Sequence, residues 1–255
     1  MTQNKREIIQ KQSALVVKGV DLVWNARFSL TTQQQKIIIA LISQIDENKS
    51  IREPYTFDIA QFCNMCGLGR ANGEYYAKIR SDLLFLRNKG VFRKMPDGRE
   101  TTVSWLMKVD LHPKKGTVSV YFDWDMEDVL FGLKRRFVQY GLEYILPMKA
   151  KYSIRLYELL KSYEFQGKYK YLELKELKES IDAEKYDSTK DFRKRVLEPA
   201  IQEINLYTDI EVRAEPHWKD RTIIGFDFEI ISIAGRFKEI EQRRENRWEA
   251  LGIEI

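Results

Sequence analysis

The sequence predicts an α+β protein built as two tandem winged-helix domains with a pseudo-repeated architecture. Three observations lead there. At 255 residues the chain exceeds one ordinary domain, so two cores are expected. Each half carries helical periodicity in the order helix, short helix, polar turn and longer helix, which is the order of a helix-turn-helix. Each half then switches to β-rich runs separated by turn residues, the signature of a hairpin wing.

The first half opens with LTTQQQKIIIALISQID, a helix capped at Thr31 or Thr32 with Ile38, Leu41, Ile42 and Ile45 recurring at three- and four-residue steps. YTFDIAQFCNMCGL gives a short β entry at Tyr55 to Phe57, an Asp58 cap and a brief helix closed by Gly67. From Asn72 a longer helix carries Tyr76, Ile79, Leu83 and Leu86 on one face until Gly90. VFRKM, TTVSWLMKVDL and TVSVYFDW are β-rich, with PDGRE and HPKKG as turns between them.

DMEDVLFGLKRRFVQYGLEYILPMKAK has mixed helical character and no Pro/Gly/Ser linker, so the halves are expected to be joined stiffly. The domains are placed at 1-130 and 131-255, with the boundary near 131-150 and Pro147 close to it. In the second half YSIRLYELLKSYEF clusters Ile154, Leu156, Tyr157 and Leu160, and KYKYLEL leads into the short helix LKELKESI. After the polar turn DAEKYDSTK, a helix beginning near Ser188 runs through DFRKRVLEPAIQEINLYT, where Pro199 should cost a hydrogen bond and introduce a kink. DIEVRAEPHWKDRTIIGFDFEI then supplies a wing whose tip is read as Pro216 to Asp220, and the charged tail after it suits a solvated helix.

Composition excludes several classes. Hydrophobic residues at 44% with 13 Tyr, 13 Phe and 5 Trp describe a folded chain. The longest apolar run, Ile37 to Ile42, is far short of a membrane span, and the start MTQNKREIIQKQS has no signal-peptide core, so a cytoplasmic protein without membrane contact is expected. The net charge of +5 permits nucleic-acid binding, but its distribution says more. Residues 1–148 hold 22 Lys and Arg against 16 Asp and Glu, whereas residues 149–255 hold 21 against 22. KYDSTKDFRKR (Lys185 to Arg195) nevertheless concentrates five cations against two anions, and Lys134, Arg135 and Arg136 form a second cluster.

Catalytic chemistry finds no support, so no enzyme activity, cofactor or metal is expected. A nicking initiator would need a His-x-His metal site and a nucleophilic Tyr, and the chain has His112 and His217 alone. Cys63 and Cys66 have knuckle spacing without two further ligands, and read as small core residues in a reducing compartment. No GxxxxGK[ST] loop appears. Asp123 and Asp125 fit a strand end followed by a helix cap.

ARFSLTTQQQKIIIALIS (Ala26 to Ser43), YSIRLYELLKSY (Tyr152 to Tyr163), DFRKRVLEPAIQEIN (Asp191 to Asn205) and the closing FDFEI resemble, in that order, the RepB/Rep-3 family of theta-type plasmid replication initiators. The resemblance implies a protein that binds direct repeats (iterons) in double-stranded DNA at a plasmid origin, opens the duplex and recruits host initiator and helicase proteins. It also implies a homodimer in equilibrium with monomer, the dimer repressing its own gene at an inverted repeat. The second winged helix would dominate base reading, and the first would dimerise and add DNA contacts. A transcriptional regulator using the same folds without an origin function is the alternative; tandem repeats rather than one inverted repeat beside the gene would separate the two.

In a helix-turn-helix the second helix enters the major groove. Phe192, Val196, Ala200 and Ile204 form its inward stripe, which leaves Lys190, Lys194 and Arg195 facing outward as candidate DNA contacts. Arg193 leans by helical angle toward the stripe's edge and joins them as a candidate DNA contact by projecting beyond the domain surface in the first two turns. Arg193 or Arg195 suits guanine, and the lysines suit phosphate. The wing adds Arg213, His217, Trp218, Lys219 and Arg221. In the first domain Lys78, Arg80 and Arg87 lie on the matching helix, and Arg93, Lys94 and Arg99 on its wing.

Overall fold

The computed structural model describes residues 15–233 except 47, 67–72, 96, 134–135 and 167–168. The charged tail, Gly67 with the turn after it, Lys134 and Arg135 therefore lie outside the described residues. The chain divides into two compact units between Leu146 and Pro147. Among the described residues, no helix is long and apolar enough to cross a membrane.

In the first unit, β1 (Leu15–Gly19), α1 (Val20–Trp24) and β2 (Ala26–Arg27) precede α2 (Thr32–Ile42). Thr31 and Gln34 close a reciprocal capping box at the start of α2: Gln34 N–H donates to Thr31 Oγ1 at 3.2 Å, and Thr31 N–H to Gln34 Oε1 at 3.1 Å. Ile37 to Ile42 are buried without exception. β3 (Tyr55–Asp58) and α3 (Ile59–Met65) lead to α4 (Gly73–Asn88), which buries Ile79, Leu83 and Leu86. Gln34 Nε2 donates to Asp82 Oδ1 at 3.1 Å and ties α2 to α4 through buried polar groups.

Two hairpins follow, β4 (Gly90–Lys94) with β5 (Glu100–Ser104) and β6 (Leu106–His112) with β7 (Thr117–Phe122). The run TTVSWLMKVDL reads as one strand but breaks at Trp105, which is buried edge-to-face on Phe28 at 4.9 Å. The break sends β5 into the sheet β2-β4-β5 and β6 into the sheet β3-β7-β6. α5 (Glu127–Leu130) and β8 (Phe137–Gly141) complete the unit, β8 pairing antiparallel with β1 from Leu15↔Gly141 to Gly19↔Phe137. A cut at 130/131 would separate these partners; the pairing carries the first unit to Leu146, inside the 131–150 window.

The second unit is organised around α6 (Lys151–Lys161), in which every residue from Tyr152 to Lys161 is buried. Its apolar faces carry Ile154, Leu156, Tyr157 and Leu160. Its polar groups close a buried network: Lys161 Nζ lies 2.7 Å from Asp209 Oδ2 and 2.5 Å from Glu164 Oε2, and Tyr157 OH donates to Asp209 at 2.8 Å. Asp209 immediately precedes the wing, so this network fixes where the wing begins.

β9 (Tyr169–Glu173) and α7 (Leu174–Ser180) lead into the turn, where Asp182 takes a left-handed backbone at φ 62°. The long helix consists of α8 (Thr189–Phe192), a π turn (Arg193–Leu197) and α9 (Glu198–Tyr207), with Ser188 Oγ capping Asp191 N–H at 3.2 Å. Pro199 provokes the π turn and not a simple kink. Lacking an N–H and crowding the carbonyl four residues back, it makes an ordinary α turn unfavourable, and the wider turn relieves both.

β10 (Ile210–Lys219) and β11 (Thr222–Ser232) form the wing, in a sheet of order β10-β11-β9. The tip is Asp220 and Arg221 and not Pro216 to Asp220. Pro216 is accommodated inside the strand because β10 is an edge, where a missing N–H breaks no ladder bond.

Replacing Lys161 with Ala leaves the Asp209 and Glu164 carboxylates buried without their cation. We expect a loss of about 3–5 kcal/mol in unfolding free energy, read from urea denaturation; a loss below about 1 kcal/mol would show that the pair is not a keystone of the second unit.

Candidate nucleic-acid interface

The long helix of the second unit buries one stripe and exposes the rest. Phe192, Val196, Ala200 and Ile204 are at most 1% exposed, and Phe192 lies 6.3 Å from Phe226 of the sheet. Four-residue steps in a pure α-helix overshoot a turn of 3.6 residues, so three of them drift by about 120°. The π turn bonds Glu198 N–H to Arg193 C=O, five residues back, and takes up the overshoot. The stripe stays on one face, and Lys190, Arg193, Lys194 and Arg195 are exposed on the others.

These four cations differ in their surroundings. Lys190 and Lys194 make no ion pair among the described residues. Arg193 Nε donates to Glu198 Oε1 at 2.8 Å, and Arg195 Nε lies 3.5 Å from Asp191 Oδ1. Both pairs are solvent-exposed and worth little, about 0–1 kcal/mol each. Thr189, Lys190, Arg193, Lys194 and Glu198 line a cleft of about 400 Å³ whose far wall is Ile223 of the wing.

The wing residues sort by register. Arg213 faces Glu229, which faces Tyr169; Glu215 faces Asp227, which faces Tyr171; His217 faces Gly225, which faces Glu173. The outer face of the sheet is thus acidic. Arg213 lies 3.6 Å from Glu211 and 3.7 Å from Glu229, and His217 Nδ1 lies 2.7 Å from Asp227 Oδ2 with its ring on Tyr171 at 4.8 Å. Lys219 and Arg221 are set apart from that face by a bulge between His217 and Trp218. Both are exposed at the tip without an ion pair among the described residues, next to Trp218 at 56% exposure.

In the first unit Lys78 and Arg80 are exposed on α4, Lys78 lying 4.0 Å from Asp82. Arg87 is exposed beside Asn88, and Arg99 pairs with Asp97 at 2.6 Å. Arg93 is not a surface wing residue. Strand alternation points it inward with Val91, where its guanidinium donates to Asp125 C=O and Asp128 Oδ2, each at 2.6 Å. Asp123 caps the turn before α5, accepting from Asp125 N–H at 3.1 Å, and it also accepts from Ser104 N–H at 3.0 Å.

Among the described residues, no three His, Cys, Asp or Glu side chains converge as a metal site. His112 lies on β6, 3.4 Å from Ser119, and His217 lies on β10 of the other unit. Cys63 and Cys66 are free and buried, and burial pushes both thiols above their ordinary pKa, Cys66 far above it.

Sequence reasoning missed the pairing of Glu198 with Arg193. The strict four-residue spacing of the stripe across Pro199 was the available signal, because an α-helix cannot keep that spacing on one face.

The family model described as "Initiator Replication protein, WH1" matches residues 15–161, and the model "Initiator Rep protein, WH2" matches residues 173–230. A replication initiation protein of Escherichia coli is 25% identical over 227 residues, covering 86% of this chain and 71% of that protein. Among solved structures, the Pi initiator protein in complex with iteron DNA superposes with a TM-score of 0.69 at 19% identity, over 87% of this chain and 98% of that one. Domains 2 and 3 of RctB give 0.50 at 10% identity, over 82% and 85%. Both units are winged helices in tandem, as the two matched models and the Pi fold require.

The buried, protonated thiols of Cys63 and Cys66 should resist alkylation by iodoacetamide at pH 7 and react once the chain is unfolded in guanidinium. Rapid modification of the native protein would contradict their placement in the core.

Proposed function

The chain belongs to the initiator replication protein family, and from that premise we propose that it starts plasmid replication by binding iterons at an origin through its second winged helix. The observation that carries the reading is the helix Thr189–Tyr207, whose buried stripe forces Lys190, Arg193, Lys194 and Arg195 onto exposed faces beside the wing. That helix enters the major groove: the arginines reach base edges, and the lysines neutralise phosphates. The cleft towards Ile223 straddles the sugar-phosphate strand, and Lys219 and Arg221 at the wing tip reach across it. Trp218 lies against sugar and phosphate or enters the minor groove.

Arg213 and His217 join this set weakly, because Arg213 is paired with Glu211 and Glu229, His217 is bonded to Asp227, and both lie on an acidic face that repels phosphate. Lys78 and Arg80 give the first unit accessory contacts, and that unit also holds the dimer surface. The protein acts by binding and not by catalysis. Duplex opening draws on binding energy and DNA deformation, and host initiator and helicase proteins are recruited to the opened site, in the cytoplasm where the plasmid resides.

Titrating the protein against DNA flanking its own gene, across a salt series, tests the reading. Tight binding that steps with repeat number and weakens steeply with salt is expected, and equal weak binding to scrambled DNA would overturn it. The double variant Arg193→Ala/Lys194→Ala should lose about 1–3 kcal/mol per base-reading residue with the fold intact. Lys219→Ala and Arg221→Ala should each weaken binding to all sequences and lower the salt slope by about 1, while Arg213→Ala changes both by less.

A further inference from the structure

Glu198 is an unexpected group to find on a DNA-reading helix. A carboxylate there repels phosphate and lowers affinity for every duplex. Its position is a consequence of the π turn. Side chains three and four residues apart share a face of an α-helix, so an unbroken helix would set Glu198 against Arg195 or Lys194. With the π turn in place, Glu198 Oε1 instead accepts from Nε of Arg193, five residues back, at 2.8 Å. Lys194, its α-helical partner, makes no ion pair among the described residues.

The atom that Glu198 holds matters as much as the residue. A guanidinium offers an Nε edge and a fork of two Nη groups. A carboxylate on Nε immobilises the plane and leaves the Nη fork free, and that fork matches O6 and N7 of guanine. Arg193 is half-exposed and lines the cleft beside the wing, so its free fork faces outward from a fixed base.

We propose that Glu198 is a positioning residue for base reading: the π turn imposed by Pro199 sets its carboxylate on Nε of Arg193, so that the Nη fork is presented to one guanine. This rests on the proposed entry of the helix Thr189–Tyr207 into the major groove. Glu198 favours the repeat through Arg193 while lowering affinity for duplex in general, so its net contribution is discrimination between sequences.

The test uses the full chain, a duplex carrying the repeat that flanks its gene, and a scrambled duplex. In a series of repeats, each guanine is replaced in turn by 7-deazaguanine, which removes N7. One replacement should weaken the wild-type protein and leave Arg193→Ala unaffected, identifying the guanine that Arg193 reads. Glu198→Ala should lose up to about fivefold in affinity for the repeat, the most that an exposed pair contributes. It should respond less to that same replacement, yet bind scrambled DNA at least as tightly as wild type because a negative charge has gone. Glu198→Gln, whose amide oxygen still accepts from Nε, should keep most of the discrimination. Pro199→Ala, which permits an ordinary α turn, should lose it while circular dichroism stays helical.

A folded Glu198→Ala protein that still discriminates the guanine as wild type does would overturn the proposal and leave Glu198 a surface charge. If wild type and Arg193→Ala respond alike to every replacement, the base-reading role of Arg193 fails first, and Glu198 has nothing to position. A wild-type protein that cannot tell the repeat from scrambled DNA overturns the proposed function itself.

Discussion

Burial of Phe192, Val196, Ala200 and Ile204, with Phe192 against Phe226 and α9 packed on α6 and β10, is the contact on which the second unit depends. Full burial of large apolar side chains such as Phe192 and Ile204 contributes about 1.5–3 kcal/mol each. Because the stripe runs the length of the helix, its burial also decides which residues face outward. The cations at 190 and 193–195 are exposed for the same reason that the four apolar residues are not. Pro199 is integral to this arrangement. It widens the turn before it, and the wider turn keeps a four-residue stripe on one face where a plain α-helix would rotate it away.

The two units share the order of helices and wing but spend their charges differently. In the first, Arg93 is drawn into the interior to hold Asp128 and the carbonyl of Asp125, so the wing is braced by a cation that a surface would otherwise display. Truncating a braced group of this kind destabilises through lost partners as well as lost charge. In the second unit Lys161 is a buried cation, fixed between Asp209 and Glu164 at the foot of the wing. Its arginines on the long helix stay outside, held only by exposed carboxylates.

Charge in the second half is close to balanced by count, yet it is unevenly placed. Glu211, Glu215, Asp227, Glu229 and Glu173 lie on the outer face of the sheet, and Arg213 and His217 are absorbed among them. Lys190, Lys194, Lys219 and Arg221 lie on the long helix and at the wing tip. A field that attracts phosphate at one surface and repels it at another orients a duplex on approach, which a uniform excess of cations would not do.

The sequence by itself determined the α+β class, the two winged helices, the stripe of the long helix, a cap at Thr31 or Thr32, a helix start near Ser188, a strand end and cap around Asp123 and Asp125, and the run of cations that ends at Arg195. These depend on period and on chemistry within a few residues, which the linear chain displays. Tertiary structure alone decided that β1 pairs with β8 more than a hundred residues away, that Trp105 divides one β run between two sheets, and that Arg93 points inward. It also placed the wing tip at Asp220 and Arg221 and set Glu198 on Arg193. Each of these turns on a partner or register remote in sequence, and a single added residue in a turn or bulge changes which side chains share a face.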